Sequence, residues 1–261
     1  MTTAVLDAVL RRDRAVTIGA LGLAIALAWA YLLLVPMPDD GMGGMVMMEP
    51  MAMPWSAGYA ALMAAMWAIM MAAMMLPSAA PTILLVTTLA RRQEERGMAP
   101  MRAGIFALGY LAVWSAFSLA ATALQWGLDQ AAMLTGEMKL ASTVLVGAVI
   151  SAAGLYEWTP LKRTCLSHCR SPLAVITQYW RPGALGAFRT GAANGFYCVG
   201  CCAVLMALLF VGGVMNLAWV AGITVLVLVE KVAPGGEWLT RGIGAALVLW
   251  GGFTIVHAVW A

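Results

Sequence analysis

Long apolar runs separated by short polar segments dominate the chain. Seven runs approach the roughly 20 residues that a helix needs to cross a membrane, and they cover residues 16–35, 56–79, 103–124, 140–158, 188–211, 215–229 and 241–260. Small residues four positions apart, such as Gly191 and Gly195, would let neighbouring helices approach closely. The pattern predicts an all-α integral membrane protein in which residues 1–261 form one domain, a bundle of about seven transmembrane helices with short loops.

The composition supports the same class of protein. Of the 261 residues, 63% are apolar and 10% are charged. Soluble domains carry about 25% charged residues, so this chain has too little polar surface to face water on all sides. The composition therefore excludes a nucleic-acid binder, a secreted disulfide scaffold and a disordered tail.

The basic residues indicate an orientation, because Lys and Arg near helix ends are retained on the cytoplasmic side. In a seven-helix arrangement, 14 of the 15 basic residues fall on one side, and Lys162 and Lys231 count among them. The exception is Lys139. The bias predicts a cytoplasmic N-terminus and a periplasmic C-terminus.

Methionine is concentrated in the first third of the chain. Between Met37 and Met75 lie 13 of the 20 Met residues, and the predicted outer loop, residues 36–55, holds seven of them, among which Met45 and Met48 are candidate ligands. Thioether sulfur is a soft, neutral ligand that favours Cu(I) over hard cations. The pattern favours metal capture, and the alternative is a loop that uses Met as an adaptable apolar residue against the membrane or a partner.

The second predicted helix continues the methionine pattern. Spacings of three and four residues place four Met side chains on one face, which we call the Met stripe: Met63, Met66, Met70 and Met74. Pro77 is expected to disturb the helix beyond the stripe. The stripe, above all Met66, Met70 and Met74, is either a ladder of weak ligands for a soft cation or ordinary helix packing.

A cysteine cluster lies on the fifth predicted helix. Cys198, Cys202 and Met206 recur every four residues and share one face, with Cys201 beside them. A rise of about 1.5 Å per residue predicts that this cluster lies at the depth of Met66. Three thiols and a thioether could hold a soft metal in a linear or three-coordinate arrangement; packing of small apolar side chains and redox chemistry are the alternatives.

The predicted inner loop, residues 159–187, contains Cys165, His168 and Cys169. If the segment is helical, the two thiols share one face and form a candidate exit site for metal. The alternative is a pair of reduced cytoplasmic thiols with no role in binding. Glu157, just before this loop, is either a polar gate or the partner of one of the basic residues in the loop.

At these residues the chain resembles bacterial integral membrane proteins that are described as predicted metal-binding membrane proteins. The resemblance covers roughly residues 55 to 235 and rests on three motifs. The motifs are Trp67 with Met70, Met71, Met74, Met75, Leu76 and Pro77; Thr159-Pro160-Leu161-Lys162 followed by Cys165, Cys169 and Pro172; and Gly195 leading to Cys198-Val199-Gly200-Cys201-Cys202 with Leu205 and Met206. The chain departs from the pattern at Glu157, where an amide is usual, and at Ala203, where an aromatic residue often follows. The resemblance implies metal binding and supplies no settled reaction.

The leading hypothesis is import of copper, as Cu(I), across the bacterial inner membrane. In this hypothesis the outer thioethers capture the ion, the Met stripe passes it inward, the cysteine cluster holds it and the inner-loop thiols release it. The chain has no GxxxxGK[ST] motif, so ATP hydrolysis is not expected, and we expect no enzymatic activity. The expected partners are the metal ion, the lipid bilayer and a cytosolic or periplasmic copper carrier, and a homo-oligomer stays open.

Two alternatives belong to other functional classes. The first is a copper-binding assembly factor or subunit that presents copper to a membrane oxidase without transporting it. The second is a membrane thiol-disulfide oxidoreductase with Cys198 and Cys201 as the redox pair and Cys165 and Cys169 as a shuttle. Cytoplasmic thiols are kept reduced, which counts against the second alternative.

Overall fold

The fold is helical throughout the ranges that a computed structural model describes, residues 3–34, 55–93, 98–179, 183–233 and 236–260. Those ranges contain no β-strand, and their one isolated β-bridge joins Leu134 to Leu140. The helices are α1 Thr3–Leu34, α2 Ala57–Gln93, α3 Ala99–Gln130, α4 Thr143–Glu157, α5 Pro160–Arg170, α6 Pro172–Tyr179, α7 Ala184–Met206, α8 Leu209–Gly212, α9 Leu217–Val232 and α10 Gly236–Trp260.

Several of these helices are long and apolar enough to cross a membrane. In the described ranges five qualify, over residues Asp13–Leu34, Ala57–Ala90, Ala99–Gln130, Ala184–Gly212 and Trp238–Trp260, and α4 with α5, bent by 65°, would make a sixth. Helix α9 covers the sixth predicted run with only 16 residues. The all-helical class is confirmed and membrane insertion is compatible with the fold, whereas seven spans and the orientation of the termini stay predictions.

The predicted loops have two different outcomes. The inner segment is largely helical instead of irregular, because α5 begins with capping residues: the Thr159 hydroxyl accepts a hydrogen bond from the Lys162 amide at 3.2 Å, and Pro160 takes the first helical position. The outer loop, with Met45 and Met48, lies outside the described residues apart from Trp55.

Helix α2 continues through Pro77 to Gln93, contrary to the expected disturbance. Proline lacks an amide hydrogen, so the carbonyl four residues earlier loses its helical partner. That carbonyl belongs to Ala73, and the Trp29 indole of α1 donates to it at 3.3 Å. A side chain of a neighbouring helix thus satisfies the group that the proline leaves open, and this contact ties α1 to α2.

Glycines bring α3 and α7 into backbone contact. A Cβ atom on Gly191 would lie 2.8 Å from the carbonyl carbon of Phe106, and one on Gly195 would lie 3.0 Å from the Cβ of Val113. Real Cβ atoms do not approach a neighbour as closely as one on Gly191 would, so only glycine permits the separation there, and a Cβ on Gly195 would require Val113 to shift. The expectation that Gly191 and Gly195 allow close helix approach is confirmed.

A buried ion cluster joins α4, α5 and α9. The Lys162 ammonium pairs with Glu157 Oε1 and, at 2.9 Å, with Glu230 Oε2, and all three side chains are almost completely buried. Glu157 therefore pairs with a basic residue of the inner segment, as one of its two alternatives proposed. Lys162, which is among the 14 basic residues counted on the cytoplasmic side, is a core residue, and two carboxylates compensate its burial.

We expect Lys162→Met to lower the free energy of unfolding by about 3–5 kcal/mol, because it leaves two buried carboxylates without a cation. Lys139→Met, at an exposed position, is the matched control and should change stability by no more than about 0.5 kcal/mol. Unfolding in detergent, followed by circular dichroism, measures both. Equal stability of the two variants would contradict the structural role of the ion cluster.

Candidate metal centre

Helices α5 and α7 bring four thiols together at their crossing, and we call Cys169, Cys198, Cys201 and Cys202 the thiol cluster. The Sγ atoms of Cys169 and Cys201 are 3.8 Å apart. Cys169 and Cys198 line the same small cavity, and Cys198 lies three and four residues before Cys201 and Cys202 on α7. All the cysteines are free, and those of α7 are no more than 2% exposed. The thiol cluster thus joins cysteines from both cysteine motifs of the sequence, the half-buried Cys169 of α5 and the three buried cysteines of α7.

The spacing of the sulfurs suits a soft ion of low coordination number. An ion about 2.3 Å from each sulfur, a usual metal–thiolate distance, would see Cys169 and Cys201 at an angle of about 110° and leave one side open for a third thiol. Both Cys201 and Cys202 instead donate to the carbonyl oxygen of Cys198, at 3.1 and 2.8 Å. Within the described ranges, no group of three or more His, Cys, Asp and Glu side chains is arranged so that it could hold a metal ion, so metal binding here would require the thiols to rotate away from this carbonyl.

A lysine that the sequence reasoning placed elsewhere contacts the thiol cluster. The Lys231 ammonium of α9 is 2.9 Å from Cys198 Sγ and donates to Ser78 Oγ of α2 at 3.0 Å. Its side chain is 8% exposed, so this residue, one of the 14 basic residues counted on the cytoplasmic side, is buried. The sequence contained a signal for this site, because Glu230 and Lys231 directly follow the predicted apolar run 215–229. Charged residues at membrane depth often mark functional sites.

Tyr110 of α3 is a second contact that sequence reasoning missed. Its hydroxyl lies 2.9 Å from Cys198 Sγ and 3.3 Å from the Met75 carbonyl oxygen. A cavity of only about 10 Å³ lies beside Tyr110, Cys198 and Lys231. The site is therefore closed around Cys198, with polar groups from α3 and α9 on its sulfur and polar groups of α2 behind them.

The Met stripe is buried along α2, the helix that also carries Met75 and Ser78. Its members Met63, Met66, Met70 and Met74 are between 1 and 6% exposed, as is Met206. Two contacts define the level of α2 relative to α7 and α8. Trp67 packs on Phe210 with ring centroids 5.5 Å apart, and Tyr110 bridges Met75 and Cys198.

Met75, and not Met66, therefore lies at the level of Cys198. Met66 is nine residues away, which corresponds to about 13 Å of helix. The prediction counted inward from Trp55 on one side of the membrane and from Arg189 on the other. Such counting does not fix how far α2 and α7 overlap, whereas the Tyr110 contacts do. Met70 and Met74 lie between these two levels, and their role as ligands stays a prediction.

The inner thiols separate into two environments. Cys169 joins the thiol cluster, whereas Cys165, one turn earlier on the same face of α5, packs against α7 at Gly200. The His168 ring stacks on Tyr197 at 4.1 Å, and its Nδ1 lies 2.9 Å from the Thr164 carbonyl oxygen. Among the described residues, the ring of His168 contacts Tyr197 and Thr164, so His168 is not part of the thiol cluster.

Comparison with known proteins identifies one family. A family model described as PpoB2, copper chaperone, matches residues 64–254, which is more than half of the 261-residue chain and includes the thiol cluster, Lys231 and the Met stripe from Met66 onward. No curated protein and no solved structure matches the chain.

We expect Gly200→Ala to destabilise the crossing of α5 and α7 by about 1–3 kcal/mol, as overpacking does, because the new Cβ would lie 2.6 Å from Cys165 Sγ. The double variant with Cys165→Ala should recover most of the loss, since the Cβ of residue 165 is 3.5 Å away. Gly222→Ala, where a Cβ meets nothing within 4 Å, is the control. Thermal unfolding in detergent tests the set, and additive losses would contradict the contact.

Proposed function

This chain belongs to the PpoB2 copper chaperone family, and we propose that it holds Cu(I) at the thiol cluster and delivers it to a copper-requiring acceptor without transporting it across the membrane. The family establishes a copper-related role. The oxidation state, the ligands and the acceptor belong to the proposal. The description of the family fits the assembly-factor alternative better than import.

The observation that carries the proposal is the Lys231 ammonium on the Cys198 sulfur. Each thiolate that binds copper carries one negative charge, so Cu(I) with two thiolates has a net charge of −1. A charge of that kind is costly in an apolar interior unless a counter-ion is close. Lys231 supplies one positive charge at 2.9 Å, which supports a neutral complex of copper, two thiolates and one ammonium.

Burial of the centre supports holding over passage. Cys198, Cys201 and Cys202 are 1 to 2% exposed, and the adjoining cavity of about 10 Å³ is close to the volume that one water molecule needs. An enclosed sulfur site suits retention of a soft ion. It also protects bound copper from exchange with small thiols in solution.

Cys169 offers a route for delivery. It is the one member of the thiol cluster that is only half-buried, and it lies on the short helix α5. Thiols lose protons when metal binds, so each protein sulfur that releases copper to an acceptor can regain one. Ligand exchange at Cys169 would begin the transfer to an acceptor, such as a copper carrier or an oxidase subunit, with no catalytic step in this chain.

The central test is Cu(I) binding and flux. The full chain should bind one tight Cu(I) equivalent in detergent, measured anaerobically by competition with a chromogenic chelator, and a variant with Ser at residues 198, 201 and 202 should lose it. Cys165→Ala is the matched control and should keep it, because that thiol packs on Gly200.

Proteoliposomes separate the two copper hypotheses. We expect no protein-dependent Cu(I) uptake into vesicles that contain the native chain. Flux that disappears in the Ser variant would overturn the proposal in favour of import. Absence of both flux and bound copper would overturn both copper hypotheses and leave the thiol oxidoreductase to be tested.

We expect Lys231→Met to weaken Cu(I) binding by about 10- to 100-fold, the range seen when groups next to metal ligands are removed. Lys231→Arg should recover part of the affinity, because it restores the positive charge with a different shape. The same chelator competition measures both variants. Unchanged affinity in Lys231→Met would contradict the role of Lys231 as counter-ion.

A further inference from the structure

A buried glutamine on α3 directs its amide at two methionine sulfurs. Gln125 is 2% exposed, and its Oε1 accepts a hydrogen bond from the Trp67 indole at 2.7 Å. An indole can only donate, so this bond identifies the amide oxygen and turns Nε2 the other way. Nε2 lies 3.0 Å from Met138 Sδ and 3.7 Å from Met63 Sδ. The Gln125 amide nitrogen, whose orientation the Trp67 bond fixes, thus contacts two thioether sulfurs from different parts of the chain.

The backbone at Met138 adopts a conformation that favours glycine. Its φ angle is +54°, in the left-handed region that residues other than Gly and Asn rarely occupy. The loop around it is held by hydrogen bonds from the Thr135 amide to the Lys139 carbonyl at 2.8 Å and from the Met138 amide to the Thr135 carbonyl at 2.9 Å. Strained residues of this kind cluster at functional sites, and here the strain accompanies a thioether that contacts a buried amide.

We propose that Met63 and Met138 form a second soft-metal site, for Cu(I) or the related ion Ag(I), with Gln125 as its positioning residue. The inference rests on the proposed copper-binding function and adds a second site to it. A thioether sulfur has two lone pairs, so each sulfur can accept an amide hydrogen and still bind an ion. Because Met has three rotatable bonds, small rotations can bring both sulfurs onto one ion.

The second site is distinct from the thiol cluster. Met63 precedes Met75, which lies at the level of Cys198, by twelve residues, or about 18 Å of helix. Its ligands are neutral, so the bound ion keeps its positive charge and is held less tightly than by thiolates. Met138 is half-buried, whereas Met63 is 6% exposed. These properties suit a site that takes up an ion from outside the bundle and gives it up again.

The charges near the second site favour a cation. Asp129 lies one turn beyond Gln125 on α3 and accepts a hydrogen bond from the Trp55 indole at 2.7 Å. Glu137 and Lys139 flank Met138 in the loop. Two carboxylates and one ammonium leave a net negative charge around the thioether pair.

Methyl NMR with Ag(I) as the probe tests the site. The full chain in detergent, with ¹³C-labelled methionine methyl groups, is titrated beyond the one equivalent expected at the thiols. We expect a second equivalent to shift the methyl resonances of Met63 and Met138. The variants Met63→Leu and Met138→Leu, which nearly conserve volume, should each lose that equivalent, and Met71→Leu, at an equally buried position of α2, should keep it.

Four results test the second site. Binding that is unchanged in Met63→Leu and Met138→Leu would overturn the inference, and so would an equal loss in Met71→Leu, since that would indicate general packing. Gln125→Leu should weaken the second equivalent about tenfold while both sulfurs remain, which separates positioning from ligation. Loss of the thiol equivalent with these methyl shifts retained would contradict the proposed function at the thiols and support this site.

Discussion

The pairing of two adjacent charges on α9 is the constraint around which the bundle is arranged. Glu230 and Lys231 are both buried, and a charge in an apolar interior is stable only beside a partner. Glu230 binds Lys162 of α5, whereas Lys231 reaches Cys198 of α7 and Ser78 of α2. The two charges therefore hold α9 against three other helices and direct one ammonium at the thiols.

Close helix approach gives the charges and thiols their positions. Gly191 removes the side chain that would separate α7 from α3, and Tyr110 of α3 then reaches Cys198. Gly200 does the same for α5, so that Cys165 lies against α7 and Cys169 reaches Cys201. The positions of the thiols thus depend on how closely these helices pack. Small changes at these glycines should therefore affect both stability and the proposed copper binding.

A chaperone that holds Cu(I) has to combine affinity with release. In the proposed function, thiolate ligands beside Lys231 would provide affinity, because the ammonium would neutralise the complex. The half-buried Cys169 would provide a place for exchange. The thioether pair of Met63 and Met138 would add a weaker, neutral site before the thiols, so that the ion moves toward the tighter ligands.

The sequence by itself determined the helical class, the apolar runs and the sulfur-rich motifs, because helical periodicity and composition are local properties. It also indicated that Cys198, Cys201 and Cys202 form a cluster, since their spacing on one helix does not depend on other elements. Only the tertiary structure decided that Cys169 joins them, that His168 stacks on Tyr197 instead, and that the Lys231 ammonium lies beside Cys198. These contacts join residues more than 25 positions apart, and they depend on the rotation and level of each helix, which spacing along one helix does not encode.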